Sequence, residues 1–293
     1  MSVITEHKSK CANGYKVMCE SYNSAAEVVR DCKERPFIGD RGFDDMGDGN
    51  LGGHSQSWVG VQSYEEALQY LEQGYQPVVE QLKMKIKANL QGEAKRISFH
   101  NDVVGYAPIV PLAIMGVPNS MLNSYMKPIK AKVVDVYYDG TFRGMTSSDD
   151  IIATGAKVIS VILKLEQQGY RFNLYQVQGY SDETGTNLMK VKLKDAAQPI
   201  DLKRISFPMT HTAFFRVIGF DWYSKTPRGR YIYNYGRALS DINKIKGKLG
   251  ELFREMFGKN AVYVSGNELK YKGEGGEQYL TEVFTQCAKN IKA

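Results

Sequence analysis

Between residues 132 and 195 the spacing of apolar positions changes period several times, and each change predicts an element. The run KVVDVYYD (132–139) is apolar at nearly every position until Asp139, the pattern of a strand covered on both faces. From Ser147 or Ser148, either of which can cap a helix, the period becomes helical. Ile152, Ala156, Ile159 and Ile162 or Leu163 form one stripe, which turns polar at Glu166, and Gly169 ends the helix. YRFNLYQVQ (170–178) returns to strand character. Strand, helix and strand in that order predict a right-handed crossover joining parallel strands. LMKVKLKD (188–195) then alternates apolar and charged residues, which predicts an antiparallel edge strand whose lysines deter further pairing.

Further along, KRISFP (203–208) reads as a buried strand, HTAFFRVIGFDWYS (211–224) as a helix and RYIYNY (230–235) as a strand. A helix is expected from Ser240, with Ile242, Ile245, Leu249, Leu252, Phe253 and Met256 inward. AVYVSG (261–266) is a strand, GEGGEQ (273–278) a hairpin loop, and a last helix from Glu277 buries Leu280, Phe284, Cys287 and Ile291. The order predicts an α/β domain over residues 131–293: a doubly wound, mostly parallel, Rossmann-like sheet with an antiparallel edge strand.

The first half has weaker signals. Residues 1–56 read as flexible or weakly organised, apart from one short helix in NSAAEVVRDCKER (23–35) capped by Ser24. Residues 57–130 form a helical, proline-rich region that acts as an N-terminal helical extension. Within it, Ser63 and Glu66 open a helix that Gly74 stops, and a second helix starts at Pro77. RISFH (96–100) follows as a strand. The most apolar stretch, Val103–Met121, is broken by Pro108, Pro111 and Pro118 and by Gly105 and Gly116. Those breaks exclude a spanning helix and predict a buried loop or strand.

Composition changes little in this picture. With 43% hydrophobic and 24% charged residues the chain has the balance of a globular protein, and a net charge of +6 permits a nucleic-acid partner without requiring one. Cys11, Cys19, Cys32 and Cys287 match no metal-binding or redox spacing, and no signal peptide is read at the start, so free thiols and a cytoplasmic location are expected.

Candidate chemistry concentrates in two places. Asp139 ends a strand where α/β sheets bind ligands, and with Thr141 and Asp149 it is the best set of oxygens for Mg²⁺ or Mn²⁺. The second place is the interleaved aromatic and basic run after Phe214. Trp222, Tyr223, Lys225, Arg228, Arg230, Tyr231, Tyr233 and Arg237 there suit a protein partner or stacked single-stranded bases. Elsewhere the glycine- and aspartate-rich segment 39–57 fails the calcium-loop spacing, and no phosphate-binding glycine loop or nucleophile elbow is present. His211 is expected to cap the helix after it, and His100 with Asp102 to form a polar pair at a strand end.

Four separated blocks carry a resemblance: SWVGVQSYEEALQYLEQG (57–74), VVGYAPIVPLAIMGVPNSM (103–121), TGAKVISVILKLEQQGYRFNLY (154–175) and FPMTHTAFFRVIGF (207–220). Together they resemble an uncharacterised family common in phage genomes, which implies a phage or mobile-element origin and a location in the cytoplasm of the infected host. The topology from Lys132 onward resembles a von Willebrand factor A domain, in which an Asp-x-Ser-x-Ser strand end helps to hold the metal. Here that run is DVYYDGT (135–141): Tyr137 and Asp139, or Thr141 and Arg143, stand at the serine positions, which implies a degenerate site. The expected function is that of a non-enzymatic phage accessory protein that binds other proteins, self-associating as a homo-oligomer and engaging a host antiviral complex. The alternatives are a single-stranded RNA- or DNA-binding module and a metal-dependent hydrolase at Asp139. No membrane partner is expected.

Overall fold

The computed structural model describes residues 2–37, 56–89, 98–125, 132–181, 185–226 and 238–291. The chain starts with an antiparallel pair, β1 (Val3–Lys8) and β2 (Lys16–Tyr22). Their connection turns at Asn13 and Gly14, both with positive φ, where glycine is the least strained residue. Helix α1 (Ala25–Glu34) follows, with the Ser24 hydroxyl accepting from the Glu27 amide and with Ala25, Val28, Val29 and Cys32 buried. Residues 2–37 are thus ordered elements of the main sheet and its helical layer, not a weakly organised arm. The rest of the segment expected to be flexible, 38–55, lies outside the described residues. The strand signal in KVMCESY was obscured because Glu20 is buried there, held by Arg35 (Nη1–Oε2 3.1 Å) and by the Ser2 hydroxyl at 2.7 Å.

Helices α2 (Gln56–Val59), α3 (Tyr64–Gln73) and α4 (Gln76–Asn89) come next. The cap of α3 is as expected: the Ser63 hydroxyl accepts from the Glu66 amide, and Gly74 closes the helix at φ 78°. Residues 98–125 form a small separate sheet of β3 (Ser98–Asp102), β4 (Ala107–Pro108) and β5 (Met121–Tyr125) in the order β3-β5-β4, with the short helix α5 (Val110–Ile114) in its connection.

The main sheet is completed by β6 (Val133–Asp139), α6 (Ser148–Gln167), β7 (Arg171–Ser181) and β8 (Gly185–Lys194). Helix α7 (Leu202–Thr210), a π-helical turn at Phe214–Gly219 and α8 (Phe220–Ser224) lead on. The chain closes with α9 (Leu249–Phe257), β9 (Ala261–Ser265), α10 (Gly266–Lys270) and α11 (Gly276–Asn290). The six strands lie in the order β1-β2-β8-β7-β6-β9. β6 runs parallel to β7 and β9, and β2 parallel to β8; the pairs β1–β2 and β7–β8 are antiparallel. The result is a mixed α/β fold with a mostly parallel sheet. One core lies between the sheet and α1, α3, α6, α7, α8 and α11, and a second on the opposite face under α9.

Several expectations are corrected. β8 is antiparallel to β7 as expected but sits inside the sheet, between β2 and β7. Its lysines are therefore not edge guards: Lys194 is buried against Glu166 at 2.7 Å, and Lys190 lies 4.7 Å from the Phe257 ring centre. KRISFP is helical, not a strand, because Asp201 caps α7 by accepting from the amides of Lys203 and Arg204; a short apolar run carries no period that separates the two states. The helix expected from Ser240 begins only at Leu249, after a 3₁₀ turn at Leu239–Asp241 and a turn through Gly247 at φ 72°. GEGGEQ is a 3₁₀ turn running into α11 instead of a hairpin. The Val103–Met121 stretch is exposed, not buried. The strand expected at 230–235 lies outside the described residues.

Candidate functional site

The strand end at Asp139 is a closed corner. Asp139 is fully buried, pairing with Val177 of β7 on one side and Ser265 of β9 on the other. The Thr141 amide donates to its Oδ1 at 2.8 Å, an Asx turn, and the Thr141 hydroxyl donates to the same oxygen. The Tyr263 hydroxyl donates to Oδ2. The Leu239 amide donates in turn to the Thr141 oxygen at 3.1 Å, which ties the segment before α9 to the corner. Burial raises the Asp139 pKa to about 6, while the Thr141 and Tyr263 hydrogen bonds hold it from rising further.

Asp139 and Thr141 are thus brought together, whereas Asp149 lies exposed in the first turn of α6, where its charge acts on Tyr75. These residues do not fit a divalent cation. Both carboxylate oxygens face hydrogen-bond donors, and Arg143 beside them is taken by Asp241 (Nε–Oδ2 2.7 Å, Nη2–Oδ1 2.8 Å). Among the described residues no group of three or more His, Cys, Asp or Glu side chains is placed to hold a metal.

Behind the corner the sheet buries neutral polar groups. Gln176 and Gln178 project from β7 toward the helices. The Gln178 amide donates to the Phe214 carbonyl at 3.4 Å, and the Gln176 amide has no protein partner among the described residues. Gly140 and Gly219 make room for these amides: a β-carbon at either position would lie 2.6 Å from Gln176 Nε2 or 1.9 Å from Gln178 Oε1. Among the described residues no nucleophile–base pair forms here. The Ser265 hydroxyl caps α10 by accepting from Glu268, and the Ser240 hydroxyl faces Asn267 at 3.5 Å.

His211 does cap the helix after it, its Nδ1 accepting from the Ala213 amide at 3.1 Å. The ring packs edge-on against Tyr75 with centroids 4.6 Å apart, and burial lowers its pKa to about 4, so it stays neutral. His100 and Asp102 approach to 3.4 Å at the end of β3, on the surface.

The aromatic and basic run is, where described, part of the core. Trp222, Tyr223 and Lys225 are buried and cannot meet a partner as expected. The Trp222 indole donates to Glu20 at 2.9 Å and to the Tyr22 hydroxyl at 3.1 Å, and Lys225 pairs with Asp221 at 2.8 Å. Arg216 is buried as well, over the Trp58 ring. Interleaved rings and cations look alike in sequence whether the cations face water or buried acceptors, so the pattern could not separate the two. Arg228, Arg230, Tyr231, Tyr233 and Arg237 lie outside the described residues.

What the sequence reading missed is the exposure of the small sheet at 98–125, whose first strand β3 overlaps the strand expected at 96–100. None of its residues from Phe99 to Asn123 is buried. Val104 is 73% exposed, Ile114 81% and Met115 68%, and Phe99, Tyr106 and Val110 are also more than half exposed. No charged residue occurs from Val103 to Met126. A visible signal was there: a long uncharged run too broken by proline and glycine to be a spanning helix, and without the regular period of a buried element, points to an exposed apolar surface.

A family model described as a domain of unknown function (DUF7192) matches residues 5–287, which takes in both the main sheet and the small one. No curated protein and no solved structure matches the chain. No helix among the described residues is long and apolar enough to cross a membrane.

Proposed function

Because the chain belongs to this family of unknown function, we propose its role from its own surfaces: it is a non-enzymatic binding protein that self-associates through the 98–125 sheet. The observation that carries the reading is the exposed, charge-free apolar face around Val104, Val110, Ile114 and Met115. Patches of this kind mark association sites, and the centres of protein interfaces are depleted in charge. A second copy is the occupant because the same patch is present on every chain at equal concentration, and a twofold contact needs no other component. The phage resemblance extends the reading to a target: the assembled protein engages a host protein complex in the infected cell. The nucleic-acid alternative rests on Arg228 and Arg230, and the described members of that basic run are turned inward.

Sedimentation of the purified protein tests this. The wild-type chain is expected to run as a dimer or larger at micromolar concentration, and Ile114→Lys with Met115→Glu as a monomer with unchanged circular dichroism. A wild-type monomer across that range would refute self-association.

A further inference from the structure

The main sheet has an open edge at β9. Among the described residues β9 pairs with β6 alone. In a parallel ladder alternate residues turn their amide and carbonyl to the neighbouring strand. The Asn260 carbonyl accepts from the Asp135 amide at 3.0 Å, so Val262 and Val264 serve β6 and the backbone of Tyr263 faces outward. Along this edge run two adjoining cavities of about 450 and 180 Å³, which share Gly250 and Tyr263. α9 forms one wall and α11 the other, through Val283, Gln286 and Cys287. Gly250 stands in the first turn of α9, where a β-carbon would meet nothing nearer than the Arg254 guanidinium at 4.0 Å; its missing side chain keeps the groove open.

The groove is basic. Arg254 and Lys259 line the larger cavity, and neither has a carboxylate within ion-pair distance among the described residues. Lys272 lines the smaller one, 4.1 Å from the Tyr279 ring centre, and among the described residues lining the two cavities Glu268 alone is acidic. Most exposed edges are blunted by charge or covered by chain. This one combines outward backbone groups, two flanking walls and unpaired cations.

We propose that the β9 edge docks an extended acidic segment of a partner protein, which adds to the sheet as a further strand. Backbone hydrogen bonds to Tyr263 set its register, and its carboxylates meet Arg254 and Lys259. This site is independent of the 98–125 face.

Fluorescence anisotropy with a labelled hexapeptide of alternating threonine and glutamate, titrated with full-length protein, tests the proposal. Binding is expected, weakening as salt rises. It should fall tenfold or more when lysine replaces glutamate in the probe, when alternate probe amides are N-methylated, and in Gly250→Leu and Lys259→Glu proteins. Ile114→Lys, which tests the other face, should leave it unchanged. Absence of binding, or binding indifferent to both Gly250→Leu and N-methylation, overturns the proposal. If Gly250→Leu instead dissociates an oligomer, the occupant is a second copy and the assignment to a partner is wrong.

Discussion

Replacing Arg216 by methionine is expected to lower the unfolding free energy by about 3–5 kcal/mol, because hydrogen bonds made by a charged group contribute about 1.5–3 kcal/mol each. Arg216 is 2% exposed. Its guanidinium donates to the Trp58 carbonyl at 2.5 Å, to the Gly144 carbonyl at 3.3 Å and to the Thr146 carbonyl at 3.1 Å. Burial lowers its pKa to about 10, which still leaves it charged at neutral pH. It sits on the π-helical turn and fastens both α2 and the loop after β6 to the helical layer. Methionine fills similar volume, so the loss comes from the guanidinium bonds to the Trp58 and Thr146 carbonyls and not from a cavity, while the Gly144 carbonyl keeps the Trp58 indole as a donor at 2.9 Å. Lysine keeps the charge but offers one donor point in place of a planar fork, so Arg216→Lys should recover only part of the loss. Urea unfolding followed by circular dichroism reads the difference directly. An Arg216→Met protein within about 1 kcal/mol of wild type would show that these bonds contribute far less than hydrogen bonds to a charged group usually do.

The second large effect is at Asp139. Alanine there strands the Thr141 amide and the Tyr263 hydroxyl in the interior, a loss of about 2–4 kcal/mol. Asparagine separates charge from hydrogen bonding. The folded-state pKa of Asp139 is about 6 against an ordinary aspartate value of 3.8, so between those values the folded protein holds the extra proton. Its contribution is greatest below about pH 4 and is lost as pH rises through 6, by roughly 3 kcal/mol in full. His211 works in the opposite direction. Its folded-state pKa is about 4 against 6.5, so its contribution is present above pH 6.5 and is lost as pH falls toward 4. In the wild-type protein the two slopes oppose each other between about pH 4 and 6. Asp139→Asn should therefore become steeply acid-sensitive over that window relative to wild type, whereas His211→Asn, which keeps a cap acceptor, should lose stability as pH rises. Paired urea titrations at pH 4.5, 5.5 and 6.5 check both signs. Variants that keep the wild-type profile would show that neither group titrates differently on folding.

How much of this was legible in the sequence depended on whether period or partner decided the outcome. The crossover from β6 through α6 to β7 was legible because its apolar period changes sharply, and Ser147, Ser63 and Ser24 announced their helices through cap chemistry that needs no tertiary partner. β2 was not legible, since its central Glu20 becomes tolerable only once Arg35, Ser2 and Trp222 surround it. The inward placement of β8 was hidden for the same reason, because Lys194 looks like an edge lysine until Glu166 is set beside it. At the strand end, the reading of DVYYDGT found Asp139 and Thr141 but could not foresee Tyr263, which arrives from β9 across the sheet. The run at 222–225 misled because burial depends on Glu20, Tyr22 and Asp221, all remote or ambiguous in sequence. The apolar face at 98–125 was in plain view, and only the inference from hydrophobic to buried concealed it.

Hydrogen–deuterium exchange measured across a concentration series asks most directly whether this protein works by joining surfaces. Amides between Ser98 and Tyr125 should become protected as the chain is concentrated from nanomolar to micromolar, with the β6–β7 core unchanged and the effect abolished in Ile114→Lys. Exchange in that sheet that is independent of concentration, or protection appearing elsewhere while the sheet stays open, would contradict the account.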